Sequence, residues 1–280
     1  MDALVSSARR KSSAVVVGLD PDPHHLPPEV AGLSEVEAVR EFCMGVLEAV
    51  GPEAAAVKLQ SAYFERLGPG GIGVYADLIR AAGTLGLPTI ADAKRGDIRP
   101  VASAYAEAHL SVYGATSVTV NPYMGMDAVE PFLDEARRLK RGGGVFVLVA
   151  TSNPSAENLQ NSSTPPLYEI AARLVASLGQ RGASGYLDAG AVVGATRLEM
   201  GRRVRKLLPG AIFLSPGYGV QRGNVSGVRA LLDAEGAGVL VNSSRGILRA
   251  FEDLERDYKS AARNAARRMR EDLKAAGVRV

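Results

Sequence analysis

The chain has 280 residues, 46% of them hydrophobic and 22% charged, with a formal net charge of +3. This is enough apolar content for one large core or two small ones, which excludes a disordered chain; lysines and arginines gather in helix-like segments among acidic neighbours, which gives no nucleic-acid footprint. A single cysteine, Cys43, rules out an internal disulfide framework and a multi-cysteine metal site, no apolar run reaches membrane-spanning length, and the start MDALVSSARRKSSAVVVGLD has no signal-peptide core, so a cytoplasmic protein is expected.

Short β-branched apolar runs recur along the chain, most of them separated by stretches of helical character. The first is AVVVGLD (14–20). In the loop DPDPHHLPP that follows, His24 and His25 read as loop residues, and with His109 they show no metal-ligand spacing. The helix-like EVEAVREFCMGVLEAV holds Cys43, which reads as packed and inert. The runs AAAVKLQ (54–60), LPTIADAK (87–94), TSVTVNPY (116–123) and GVFVLVATS (144–152) come next. The polar stretch SNPSAENLQNSSTPPLYE is long for a strand-to-helix connection and reads either as a lid or as an ordinary flexible loop. AVVGAT (191–196), AIFLSPGYG (211–219) and GVLVNSSRG (238–246) complete eight runs. Segment 251–276 places Leu254, Tyr258, Ala262, Ala265, Met269 and Leu273 on one side, the pattern of a closing amphipathic helix. Eight strand–helix units without a composition break predict the α/β class, a single-domain (β/α)₈ TIM barrel over 1–280 with an N-terminal extension.

In such a barrel the active site lies at the C-terminal ends of the strands. Strand alternation turns Asp92 and Lys94 of ADAKRGDIRP to the same inward face, leaving Ala91 and Ala93 toward the helices. The same parity turns Asp20 inward with Gly18, and Lys58 inward with Ala56 and Gln60. Two acids and two lysines then converge at the barrel mouth. The bland alternative is a buried charge network that closes the barrel top at little net gain in stability. Asp97 falls outside the alternation because Gly96 breaks the run; with Pro100 in the first turn of the next helix, Asp97 reads as a possible helix cap. A second group comprises Gly217, Gly219, Gln221 and Gly223 in SPGYGVQRGN, with Arg245 of VNSSRGIL before a short helix. These are the loops after strands seven and eight, the usual phosphate site of the fold, although glycine serves plain turns equally well. No GxSxG elbow, Walker loop or GxGxxG fingerprint after the first strand is present. What remains is a phosphorylated small molecule beside a Lys/Asp cluster.

DAKRGD resembles the Asp-x-Lys-x-x-Asp signature of the orotidine 5′-phosphate decarboxylase family. GLDPDP, VKLQSAYFE, VTVNPYMG, TSNP, VVGAT, PGYGVQ and NSSRGI extend the resemblance in order over nearly the whole chain, most closely to the longer bacterial branch. The resemblance implies a (β/α)₈ barrel, a homodimer, a nucleoside monophosphate as substrate, and no cofactor or metal. It implies that Lys94 protonates C6 of the pyrimidine as carbon dioxide leaves, with Asp92 against the substrate carboxylate. Lys58 and Asp20 would hold the ribose hydroxyls, Ser152 the pyrimidine, and Gln221 with Arg245, beside Gly219, the 5′-phosphate. Asp97 would reach into the partner's site. One departure is Val101, where the family commonly has a threonine that contacts the ribose; its loss removes one hydrogen bond, worth about 1 kcal/mol. Two other readings stay open. One is a magnesium-dependent sugar-phosphate decarboxylase or aldolase-type relative, which Lys58 opposes because a cation there repels the metal. The other is a non-enzymatic phosphate-binding barrel, which would have no use for the Lys/Asp cluster.

Overall fold

The computed structural model describes residues 1–217, 225–252 and 257–280. Its strands are β1 (Val15–Leu19), β2 (Ala56–Gln60), β3 (Thr89–Arg95), β4 (Ser117–Val120), β5 (Gly144–Ala150), β6 (Ala189–Val193), β7 (Phe213–Ser215) and β8 (Val239–Ser243). Each pairs in parallel with the next and β8 returns to β1, which closes the barrel. The expected eight strands are therefore all present. The sixth begins two residues earlier than its apolar run suggests, because Ala189 and Gly190 carry no strand-like side chain. A Cβ on Gly190 would sit 2.6 Å from Ile212 O and 2.8 Å from the Phe146 ring, so the missing side chain is what admits Phe146 to the barrel interior.

The helices are α1 (Asp2–Lys11), α2 (Glu35–Val50), α3 (Ser61–Glu65), α4 (Gly68–Thr84), α5 (Arg99–Ala106), α6 (Glu130–Arg138), α7 (Ala156–Gln160), α8 (Leu167–Leu178), α9 (Leu198–Leu207), α10 (Val225–Arg229), α11 (Arg245–Leu248) and α12 (Tyr258–Ala275). Helix α2 starts with a capping box, Ser34 with Glu37, and buries Cys43, whose thiol is pushed up by burial and so stays protonated and unreactive. Helix α12 buries Tyr258, Ala262, Ala265, Met269 and Leu273 as the spacing predicts, while Leu254 lies outside the described residues.

Two cores follow from the strand alternation. Outward residues such as Val17, Val57, Val118 and Val147 pack under the helices. Inward residues Val16, Ala56, Ile90, Phe146, Val192, Ile212, Leu214 and Leu240 fill the barrel itself. Helix α1 joins this inner core through Met1, Leu4, Val5 and Ala8, and the Ser7 hydroxyl donates to Ala55 O just ahead of β2 at 2.7 Å. The N-terminal end of the barrel is thus plugged with apolar side chains. The polar residues of the inward face are left for the opposite end.

Candidate active site

The charged residues converge as expected. Lys58, the middle residue of β2, places its Nζ 2.9 Å from Asp92 Oδ2 and 3.3 Å from Asp20 Oδ1, and Lys94 Nζ lies 2.5 Å from Asp92 Oδ1. Gln60 Nε2 donates to Asp92 Oδ2 at 3.2 Å, and Thr119 Oγ1 donates to Asp92 Oδ1 at 3.0 Å. Asp92 therefore receives two donors on each oxygen. Burial alone would raise its carboxyl, but the two lysines outweigh that and hold it well below the ordinary aspartate value. For Lys58, burial works against the charged form, and the Asp20 and Asp92 carboxylates more than offset it, so its ammonium is held above the usual lysine range.

The two lysines differ in access. The Lys58 side chain is 5% exposed and enclosed by its acids, whereas that of Lys94 is 43% exposed and lines a cavity. Lys58 is a fixed counter-charge in the cavity wall; Lys94 is the more open of the two ammonium groups to a ligand.

The route by which Lys94 arrives differs from the simple alternation. The pairing of β3 with β4 runs regularly through Ala91↔Val118 and resumes only at Arg95↔Val120, so three residues of β3 lie opposite Thr119 alone. Within this bulge Lys94 adopts φ +48°, the left-handed region, which costs a non-glycine residue about 1–2 kcal/mol. Its N–H, with no ladder carbonyl to meet, donates to Thr119 Oγ1 at 3.0 Å.

Two adjoining cavities open at this end of the barrel. One, of about 370 Å³, has Lys58, Asp92, Lys94 and Thr119 on one side and the apolar Leu148, Val192, Leu214 and Pro216 on the other. The second, of about 590 Å³, shares Lys58, Asp92, Ser152, Pro216 and Asn242 with the first and extends past Asp20 and Gln60 to Gly217, Ser243, Ser244, Arg245 and Gly246. Gly18 makes this floor possible, since a Cβ there would lie 1.9 Å from Ser244 Oγ. Arg245 is the first residue of the four-residue α11 and is exposed, which leaves its guanidinium free to reach an anion. Nearby Arg249 is held by Asp22 at 3.1 Å. Gly219, Gln221 and Gly223 lie outside the described residues.

Ser152 follows β5 and lines both cavities. The long polar stretch behind it contains α7 and is tied back to the strand end, with Gln160 Oε1 accepting from Thr151 N at 3.2 Å and Gln160 Nε2 donating to Thr151 Oγ1 at 2.8 Å. Asp97 is not a helix cap. The N-cap of α5 is Ile98, no side chain caps that helix, and the Asp97 carboxylate accepts from the adjacent Ile98 N–H at 2.8 Å. Pro100 does occupy the first turn.

Thr119 and Asn242 are participants that the charge pattern alone does not reveal. Each is a polar residue at the inward parity of its strand, and that would have been the signal. Asn242 lines both cavities, and its buried Oδ1 has no hydrogen-bond partner among the described residues.

A barrel with a lysine-centred charge cluster at its catalytic end, beside a cavity with an available arginine after β8, defines the class of (β/α)₈ enzymes that act on small phosphorylated molecules. Residues 13–261 match the profile described as the Orotidine 5′-phosphate decarboxylase / HUMPS family. The chain is 40% identical to an orotidine 5′-phosphate decarboxylase of Rhodopirellula baltica over 95% of each chain, and 37% identical to one of Clostridium kluyveri over 98% of this chain and 96% of that one. The structure of Leishmania donovani OMP decarboxylase superposes with a TM-score of 0.79 at 33% identity, covering all of this chain and 98% of the other. The chain belongs to the orotidine 5′-phosphate decarboxylase / HUMPS family.

Proposed function

We propose that the protein converts orotidine 5′-phosphate to uridine 5′-phosphate in de novo pyrimidine biosynthesis, without metal or cofactor. The observation that carries this reading is the Lys94 ammonium against Asp92, at the meeting of an apolar-walled cavity and one that reaches Arg245. In the reaction the C6–carboxylate bond breaks, its electron pair stays on C6, and the Lys94 ammonium donates a proton there as neutral carbon dioxide departs. No electron sink is needed because a fixed positive charge lies where negative charge develops.

The substrate's phosphate meets Arg245 and Gln221, its ribose hydroxyls Asp20 and Lys58, and its pyrimidine Ser152. The C6 carboxylate then faces Asp92, an anion opposed by an anion, beside Leu148, Val192, Leu214 and Pro216. That wall favours neutral carbon dioxide over the carboxylate from which it forms. Lys58 argues against the magnesium-dependent alternative, because its ammonium already sits between Asp20 and Asp92, where a divalent ion would need those carboxylates.

The reading includes a cytoplasmic homodimer with Asp97 lent to the partner's site. Ile98 and Val101 at the start of α5 are exposed, as are Tyr123, Met124 and Met126 on the turn after β4, which packs near α5. An apolar patch of this size beside an unused carboxylate suits a second copy of the chain. Among the described residues no helix is long and apolar enough to cross a membrane. The direct test follows the loss of pyrimidine absorbance when purified protein meets orotidine 5′-phosphate in excess chelator. Turnover unaffected by chelator is expected. Turnover restored only by magnesium would favour the metal-dependent relative.

A further inference from the structure

We propose that Thr119 is a positioning residue for the reaction, its hydroxyl fixing the backbone of Lys94 and the carboxylate of Asp92 in one register. The inference rests on the reading of Lys94 and Asp92 as the reacting pair, and it adds a residue that carries no charge. The bulge between β3 and β4 puts three residues of β3 opposite Thr119 and leaves the Lys94 N–H without a ladder carbonyl. Thr119 Oγ1 takes the place of that carbonyl at 3.0 Å and donates its own O–H in a hydrogen bond to Asp92 Oδ1, also at 3.0 Å. Thr119 is 1% exposed, so no water competes for either bond.

One hydroxyl therefore serves both groups, as acceptor for one and donor to the other, and a hydroxyl is the smallest side-chain group able to do both. The Lys94 φ of +48° is the conformation that most needs such a tie, because an L-residue relaxes out of the left-handed region when nothing holds it there. Relaxation would swing the Lys94 ammonium away from the carboxylate it now touches at 2.5 Å. A displacement of about 1 Å at a reacting group costs on the order of 10²-fold in rate.

The experiment compares Thr119→Val, which keeps the volume and removes the hydroxyl, with Thr119→Ser, which keeps the hydroxyl. In Thr119→Val we expect kcat to fall roughly 10- to 100-fold, while the affinity for uridine 5′-phosphate, measured by calorimetry, changes by less than about threefold, since Arg245 and Asp20 are untouched. Thr119→Ser should recover most of kcat. If Thr119→Val does not fold, Thr119→Ala takes its place with the same expectation.

Wild-type kcat in a folded variant without the hydroxyl would overturn the proposal, as would equal losses in the valine and serine variants. A kcat loss matched by an equal loss of nucleotide binding would overturn it too. A crystal structure of Thr119→Val without ligand separates this proposal from the functional one. The Lys94 backbone should leave positive φ or its ammonium should leave Asp92, and an unmoved Lys94 refutes the positioning role whatever substrate the enzyme takes. Should wild type fail to turn over orotidine 5′-phosphate, the functional reading falls, and that same structure still decides the role of Thr119.

Discussion

Lys94 and Arg245 work on opposite ends of one ligand, and their substitutions should separate accordingly. Lys94→Ala removes the proton donor, so turnover should vanish while binding of uridine 5′-phosphate persists; near-normal turnover in that variant would assign the acid wrongly. Arg245 is exposed, so a phosphate contact there has the strength of a charged hydrogen bond near solvent, about 1.5–3 kcal/mol. Arg245→Ala should raise KM roughly 10- to 150-fold with little change in kcat, and an unchanged KM would place the phosphate elsewhere. Asp92 and Lys58 are charged throughout the neutral range. The Asp92 carboxyl is lowered in the fold, so its contribution to stability is present above about pH 4 and is lost as pH falls through the folded value. Lys58 is raised, so its contribution is present below about pH 10.4 and is lost only as pH climbs through the folded value.

One element sensitive to mild acid is the helix that follows the catalytic loop. Helix α5 continues into a π-helical turn, Glu107–Val112, that buries His109 with its Nδ1 3.2 Å from the Tyr75 hydroxyl. Burial first, and the Arg95 guanidinium second, push this imidazole down to about 4. As pH falls below about 6.5 the unfolded chain takes up a proton that the folded chain refuses, so stability is lost between there and the folded value. Roughly 2 kcal/mol should disappear between about pH 7.5 and pH 5. Urea midpoints at the two pH values, in wild type and in His109→Gln, check this. The variant should lose less on acidification, and equal losses would show that His109 is not the group responsible. The same element sets the catalytic loop, since Arg95, between Lys94 and Gly96, pairs with Glu65 at the end of α3 and stacks over Tyr105 of α5. The ends of β2 and β3, with Lys58 and Lys94, are thereby joined behind the site.

At the scale of the whole molecule the open matter is Asp97, which caps nothing and stands beside an exposed apolar patch. If it serves the partner's site, each site combines Lys94 of one chain with Asp97 of the other. Lys94→Ala and Asp97→Ala, each inactive alone, should then complement. Random re-association makes about half the dimers mixed, each with one intact site, so activity should return to roughly a quarter of wild type. The two variants would be dissociated in mild denaturant and reassembled, with exchange confirmed by mass. Exchange without recovered turnover would show that Asp97 acts within its own chain.

Much of this was legible without coordinates. Eight apolar runs alternating with helical stretches allow little but a closed parallel barrel, and a barrel exposes polar inward residues at one end only, so Asp20, Lys58 and Asp92 could be placed from parity. Parity holds as long as the ladder is regular, because each residue then turns the chain by the same half-step. At Lys94 the expected destination is reached by another route, since a bulge and a left-handed residue set the side chain's direction, and a bulge depends on the neighbouring strand. Thr119 and Asn242 share that inward parity, but neither carries a charge to mark it, and the role of a threonine or an asparagine in a strand shows only when the fold reveals what lies across from it. Sequence alone determined which chemical groups the mouth of the barrel holds. The tertiary structure decided which lysine is enclosed and which is free, since that depends on how four separate strands bring their carboxylates, amide and hydroxyl to the same few ångströms.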